Sequence, residues 1–125
     1  MRLATFLSIV GVVAILFGIG FLLAPAALLG QYGIVVADPH TIFMARFFGA
    51  ALIELGVLVW IAREIVDPLG RRAIVLAGLI GNTAGFLVAL TGQLNGAVNA
   101  LGWSTVLIYA LFAVGFAYFQ FGKTS

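Results

Sequence analysis

The sequence predicts an all-α membrane protein, a four-transmembrane-helix bundle with both termini on the cytoplasmic side. Of its 125 residues, 64% are hydrophobic and 8% are charged, whereas a soluble domain is about 45–50% apolar and about 25% charged. The apolar residues form four stretches of about the length that crosses a bilayer. The basic residues flank these stretches on one side only, which indicates how the chain is oriented.

The four apolar stretches form one predicted transmembrane domain covering residues 1–125. We expect helices over about 3–24, 41–62, 68–93 and 102–121. A bilayer core offers no water to backbone groups, so each stretch should form its hydrogen bonds within a helix. The first stretch is longer than the roughly 7–15 apolar residues of a signal peptide, so we interpret it as a helix.

Proline marks the start of three helical segments. Asp38 precedes Pro39 and Asp67 precedes Pro68, which predicts a capping carboxylate followed by proline at the first position of the second and third helices. Pro25 similarly opens a short helical turn after the first helix. These signals place the connections between the apolar stretches.

The distribution of basic residues predicts the orientation. Five of the six lie at the N-terminus, the second loop and the C-terminus: Arg2, Arg63, Arg71, Arg72 and Lys123. The first and third loops contain no lysine or arginine, so the basic side should be cytoplasmic in a cell inner membrane. The net charge of +2 thus fits a protein whose partner is the lipid bilayer, and no nucleic acid is expected.

Helices in lipid associate through close packing of small residues, so each helix should present one such stripe. The predicted stripes are Ser8, Gly11, Ile15, Gly18 and Leu22; Phe47, Ala50, Glu54, Val57 and Ile61; Val75, Gly78, Asn82, Gly85, Ala89 and Gly92; and Val106, Ala110, Ala113, Ala117 and Gln120. The third stripe is small at nearly every position. We therefore expect the third helix to be the central packing helix.

Polar residues near the midplane form a candidate intramembrane site of Glu54, Asn82 and Thr83. Glu54 and Asn82 lie nine and ten residues from the arginines Arg63 and Arg72, so their depths are almost equal. A carboxyl group in lipid costs on the order of 2.5–3.5 kcal/mol and should find a partner. Either the group binds a cation or proton, or a protonated Glu54 bonds Asn82 and fixes the helix register. The second hypothesis predicts that Glu54→Gln is tolerated and Glu54→Leu is disruptive.

A second polar group is expected at the outer side of the membrane. It consists of Asp38, His40, Arg46, Gln93 and Asn95. Arg46 could pair with Asp38 or extend towards the membrane surface. The group could therefore hold a small anionic or polar ligand, or it could be an interfacial network that anchors the second helix. His40 is the single histidine and a weak indication of a metal site.

The sequence offers no catalytic constellation. It has no cysteine, which excludes disulfides, thiolate metal sites and a cysteine nucleophile. We find no serine or threonine with a positioned base, no glycine-rich phosphate loop and no metal-ligand spacing. We therefore assign no catalytic residue and no metal ligand, and the cofactor is unknown.

Several motifs support a family resemblance. They are the run Gly18–Pro25, the segments Arg46–Ala50 and Gly56–Trp60, and the run Asn99–Trp103. In these motifs the chain resembles small uncharacterised bacterial four-helix integral membrane proteins and, more loosely, the DoxX-like proteins. The resemblance implies a four-helix bundle in a bacterial membrane and no catalytic residues. The quinone-linked role associated with some DoxX-like proteins falls on no residue of this sequence.

Three functions are compatible with these observations. The sequence favours an accessory or structural subunit that packs against another membrane protein or forms a homo-oligomer, because it has small-residue stripes and little outside the membrane. The alternative is a small lipophilic-molecule or ion binding or transport protein that uses Glu54 or Arg46. An enzyme is the third hypothesis, and no residue set supports it.

Overall fold

The chain is all-helical over the residues that the computed structural model describes, 1–36 and 38–122, and this part contains no strand. Its five helices are α1 Leu3–Leu23, α2 Pro25–Gln31, α3 Pro39–Ala62, α4 Pro68–Leu94 and α5 Gly102–Phe121. All except the short α2 are long and apolar enough to cross a membrane. The all-α class and the four long apolar helices are therefore confirmed. Lys123, counted among the basic flanks, lies outside the described residues.

Carboxylates cap α3 and α4 as predicted. Asp38 Oδ1 accepts a hydrogen bond from the Thr41 backbone N–H at 2.9 Å. Asp67 Oδ2 accepts one from the Gly70 backbone N–H at 2.8 Å. A proline follows each aspartate at the first helical turn, where its missing N–H costs no intrahelical bond. Each cap satisfies a backbone donor that the helix itself leaves unpaired.

Glycines bring the backbones of α1 and α3 into contact. The two helices are antiparallel, with Gly11 beside Gly56 and Gly18 beside Gly49. A Cβ atom added to Gly18 would lie 2.8 Å from the Gly49 carbonyl oxygen, and one added to Gly56 would lie 2.9 Å from that of Gly11. Any side chain at these positions would push the helices apart.

α4 and α5 form a second pair with a different contact. Gly78 lies against the ring of Phe116, and Gly85 lies against the ring of Tyr109. A Cβ atom at either glycine would overlap the ring beside it. The glycines of α4 therefore make room for aromatic side chains of α5.

The two helix pairs, α1 with α3 and α4 with α5, make few contacts with each other. At the end that carries Arg2 and Arg63, here named the arginine end, the pairs share a buried apolar cluster. The ring of Phe6 lies 4.8 Å from that of Phe116 and 5.5 Å from that of Phe119, measured between centroids. These contacts join α1 to α5.

Asn99 joins the pairs at the opposite end, here named the asparagine end. Its Nδ2 donates to the Gln31 carbonyl oxygen at 3.0 Å, and its backbone N–H donates to the Tyr32 carbonyl oxygen at 2.9 Å. Gln93 Nε2 in turn donates to the Asn99 carbonyl oxygen at 3.1 Å. Gly33 has a φ of +79° beside Asn99, a left-handed conformation suited to glycine. The pairs are thus tied at both ends.

The small-residue stripe predicted for the second transmembrane helix, which is α3, is wrong. Its five members, Phe47, Ala50, Glu54, Val57 and Ile61, are all exposed. The helix instead turns Gly49 and Gly56 towards α1. The prediction oriented α3 by its carboxyl group, whereas close backbone contact through the two glycines decides the orientation.

The prediction that the third transmembrane helix, which is α4, is the central packing helix is also wrong. α4 packs mainly on α5 and makes few contacts with α3. Val75 is its one buried residue, whereas α1 has seven. Small residues in α4 leave space for the rings of α5, so they do not draw several helices together.

Candidate functional site

The residues of the predicted intramembrane site do not come together. Glu54 is exposed and has no hydrogen bond or ion pair with any residue that the structure describes. Asn82 Nδ2 donates to the Gly78 carbonyl oxygen of its own helix at 2.8 Å, and Thr83 is exposed. The expected Glu54–Asn82 hydrogen bond is therefore not formed. The cause is the orientation of α3, whose glycine face lies on α1.

The predicted outer-side group is divided as well. Asp38 uses its carboxylate to cap α3. His40 Nδ1 lies 3.6 Å from Asp38 Oδ1, and the His40 side chain is 90% exposed. Arg46 is exposed, and within the described ranges it forms neither a hydrogen bond nor an ion pair. The expected pairing of Arg46 with Asp38 is thus not formed.

The remaining two residues of that group have separate roles. Gln93 belongs to the Asn99 network that joins the helix pairs, and its Oε1 atom is buried without a hydrogen-bond partner in the described chain. Asn95 is exposed at the end of α4, where its backbone N–H donates to the Thr91 carbonyl oxygen at 2.9 Å. The five residues do not form one binding site.

A cavity of about 510 Å³ lies between the two helix pairs. Its walls come from α1 and α3 on one side and from α4 and α5 on the other, with α2 contributing Leu29. The arginine-end cluster and the Asn99 network hold the pairs together above and below it. Its volume falls within the range of about 300–1,000 Å³ typical of small-molecule sites.

The cavity lining is almost entirely apolar. Aliphatic side chains, glycines and phenylalanines such as Phe17, Phe48 and Phe112 form most of the wall. No charged side chain is among the described residues that line it. A pocket lined in this way favours apolar molecules over polar ones. The site is therefore suited to a lipophilic ligand.

Four polar side chains interrupt the apolar lining. Tyr32 and Thr105 lie towards the asparagine end, where Thr105 Oγ1 donates to the Tyr32 hydroxyl at 3.2 Å. Asn82 and Tyr109 line the cavity further from that end. Asn82 Oδ1 and the Tyr109 hydroxyl have no hydrogen-bond partner in the described part of the chain. Asn82 and Tyr109 thus offer a ligand an acceptor and a donor in a mostly apolar space.

Sequence reasoning identified one of these four residues. Asn82 was expected at a polar site, whereas Tyr32, Thr105 and Tyr109 were not. A spacing signal for Tyr109 was present: Tyr109 and Phe116 are seven residues apart, as are Gly78 and Gly85. Matching spacings of small and aromatic residues on consecutive helices predict that the rings enter the gaps of the other helix.

Comparisons with known proteins identified no relative of this chain. No protein-family model matches the chain, and neither a curated protein nor a solved structure matches it. Within residues 1–36 and 38–122, no group of three or more His, Asp or Glu side chains could hold a metal ion. The cavity and the exposed charged residues are the features that bear on function.

Proposed function

We propose that the chain is an integral protein of a bacterial inner membrane that binds a small lipophilic molecule between its two helix pairs. Four helices of 20 to 27 residues support the membrane insertion. The positions of Arg2, Arg63 and Arg71 support a cytoplasmic arginine end, with both termini on that side. Membership of the DoxX-like proteins stays a prediction.

The observation that carries the binding function is the cavity of about 510 Å³ and its apolar lining. Lining residues such as Phe48, Leu55 and Leu58 are exposed, so the cavity is open on one side and an apolar molecule can enter it from the lipid. α1 makes few contacts with α5, and α3 makes few with α4, which leaves this space between the pairs. A lipophilic occupant gains dispersion contacts with the apolar wall.

The polar lining residues indicate which lipophilic molecules fit. Asn82 Oδ1 can accept a hydrogen bond, and the Tyr109 hydroxyl can donate one. A hydroxyl group on an apolar body can donate to Asn82 Oδ1 or accept from Tyr109, whereas a carbonyl group can only accept from Tyr109. A charged ligand is disfavoured, because no charged side chain of the described lining would compensate its desolvation.

Photolabelling tests the binding function. The probe is hexadecanol carrying a diazirine on its chain, added to the purified protein in mild detergent. We expect label on cavity residues such as Tyr109 and Phe112, located by proteolysis and mass spectrometry, and suppressed by excess unlabelled hexadecanol. Labelling that excess hexadecanol does not suppress, spread over exposed residues such as Leu16 and Leu111, would contradict the proposal.

Two leucine variants of α4 provide a matched control. Gly81 lines the cavity, and a Cβ atom there would meet nothing within 4 Å, so Gly81→Leu fills the cavity without a backbone clash. Ala84 is exposed outside the cavity on the same helix. Gly81→Leu should lower the suppressible labelling at least about fivefold, and Ala84→Leu should leave it unchanged. Equal labelling of both variants would exclude the cavity as the site.

Thiol labelling tests the membrane topology separately. The chain has no native cysteine, so single cysteines at Leu69 and Ala97, both exposed in loops or helix ends, can be compared directly. With a membrane-impermeant reagent on intact cells, only Ala97→Cys should react. Reaction of Leu69→Cys under the same conditions would reverse the proposed orientation.

An accessory or structural subunit is the second candidate function. The observation that favours it is the outward position of Arg46 and Glu54, two charged residues of an apolar helix that have no partner in the described chain. Ion transport through Glu54 has less support, because Glu54 does not line the cavity. Binding in the cavity and association through the outside of α3 are compatible, since they use different faces of the helix.

A further inference from the structure

One side of α3 is left uncovered by the rest of the protein. Its members recur at intervals of three and four residues and are all exposed: Phe43, Arg46, Phe47, Ala50, Glu54, Val57 and Ile61. We name this stripe the outward face of α3. Gly49 and Gly56 point from a second side towards α1, and Leu55 points from a third side into the cavity. The outward face therefore belongs neither to the bundle interior nor to the cavity.

Two opposite charges interrupt the outward face. Arg46 and Glu54 are eight residues apart, which places them about 12 Å apart along the helix axis. Neither has a hydrogen bond or ion pair within residues 1–36 and 38–122. In a membrane, a charged side chain that faces lipid is energetically costly. A partner that supplies the opposite charges at the same two depths would remove this cost.

We propose that the outward face of α3 binds one transmembrane helix of a different membrane protein. This helix carries an acidic side chain at the depth of Arg46 and a basic or amide side chain at the depth of Glu54. The proposal rests on the membrane insertion proposed above but not on ligand binding in the cavity. Small Ala50 lies between the two charged residues and lets the partner helix approach closely.

A second copy of the chain is a poorer occupant of this face. Two copies inserted in the same orientation and related by a two-fold axis would place identical residues opposite one another along the contacting helices. Arg46 would then face Arg46, and like charges at close range are destabilising in a medium of low dielectric constant. A helix of another protein can instead place an acidic side chain opposite Arg46 and a basic one opposite Glu54.

Photocrosslinking to host helices of defined sequence tests the proposal. The protein carries benzoylphenylalanine at Ala50 and is co-expressed in bacteria with a tagged poly-leucine transmembrane helix. A basic flank and a fixed cytoplasmic N-terminus set the orientation of that helix. Three versions are compared: lysine and aspartate eight residues apart in the complementary order, the same residues exchanged, and leucine alone.

The complementary helix should crosslink at least about fivefold more than the other two, since polar pairs in membranes contribute about 1–2 kcal/mol in model peptides. In the double variant Arg46→Leu, Glu54→Leu this difference should disappear. Equal yields from the three helices would overturn the proposal, and so would a dominant crosslink between two copies of the protein. Moving the photoreactive residue to Ala84, outside the face, should abolish the crosslink.

Two further measurements separate this inference from the proposed function. Protein that alkaline carbonate extracts from the membrane fraction would refute membrane insertion itself. Gly81→Leu fills the cavity and leaves the outward face of α3 untouched, so its crosslinking should equal that of the unaltered protein. Crosslinking that depends on position 81 would contradict the independence of the two sites.

Discussion

The two helix pairs share the same glycine spacing but make different contacts with it. Gly11 and Gly18 of α1 lie seven residues apart and oppose Gly56 and Gly49 of α3, so backbone meets backbone. In α4, Gly78 and Gly85 are also seven residues apart, but aromatic rings of α5 occupy the space beside them. A glycine stripe therefore predicts a contact but not its closeness. The residue on the opposite helix decides whether the backbones touch.

This difference also explains where the cavity lies. A backbone contact between α1 and α3 leaves little freedom to shift, which makes that pair a fixed wall. In the other pair, Tyr109 and Phe116 contact α4 and also line the cavity. Phe116 is fully buried in the arginine-end cluster, so we expect the Tyr109 ring to be the one that responds to an occupant. We expect the α4–α5 side to adapt to the ligand and the α1–α3 side to stay unchanged.

The largest expected effect comes from a methyl group between α1 and α3. In Gly49→Ala the new Cβ atom would lie 2.7 Å from the Gly18 carbonyl oxygen and from the Leu22 backbone nitrogen. Neither atom can move without shifting a helix. We expect destabilisation at the upper end of, or above, the about 1–3 kcal/mol typical of overpacking. Thermal unfolding in one detergent measures it, with Gly81→Ala, where space is open, as the control that should not lose stability.

The same methyl group in the second pair should cost less. In Gly85→Ala the new Cβ atom meets the Tyr109 ring, which can rotate towards the cavity that it lines. We expect a loss of about 1 kcal/mol together with weaker labelling by the hexadecanol probe. A loss equal to that of Gly49→Ala would show that the α1–α3 and α4–α5 interfaces are equally rigid.

A smaller effect is expected where the pairs are tied at the asparagine end. Asn99→Ala removes the hydrogen bond from Asn99 Nδ2 to the Gln31 carbonyl oxygen, which joins the pairs, and the local one that Asn99 Oδ1 accepts from the Leu101 backbone N–H. An intramolecular hydrogen bond contributes about 0.5–1.5 kcal/mol, and the loss should appear in thermal unfolding. Ser104→Ala is the control, because the Ser104 hydroxyl bonds only Leu101 nearby in the chain. Equal losses would mean that Asn99 does not connect the two pairs.

The smallest effect on the isolated protein is expected at Glu54. The side chain points outward and has no partner among the described residues, so Glu54→Leu and Glu54→Gln should both stay within about 0.5 kcal/mol of the unaltered protein. This reverses the sequence-based expectation that leucine is disruptive. A large loss of stability in detergent for Glu54→Leu alone would indicate that the carboxyl group has a partner inside the protein.

The positions of the long helices could largely be predicted from the sequence, because the signals that set them lie within a few residues of each helix. Composition and hydropathy set the four long helices, and Asp38 and Asp67 set the starts of two of them through backbone hydrogen bonds. Each of these signals acts within a few residues of the chain. The positions of the helices could therefore be predicted without knowledge of their neighbours.

The orientation of the helices was less accessible, because it depends on residues far apart in the sequence. Glu54 suggested that its side of α3 faces inward, whereas Gly49 and Gly56 oppose glycines in α1 and turn it outward. The cavity has the same origin. It exists because the four long helices pack as two pairs, and no single stretch of sequence indicates which helices pair. Three of its four polar residues were missed for that reason.

Native mass spectrometry tests the central claim, that the space between the two helix pairs holds one lipophilic molecule. The protein is released from mild detergent after equilibration with hexadecanol, and the bound mass is read directly. We predict one bound molecule for the unaltered protein and for Ala84→Leu, and none for Gly81→Leu at the same concentration. Retention of the bound molecule by Gly81→Leu, or its absence from all three proteins, would contradict the account.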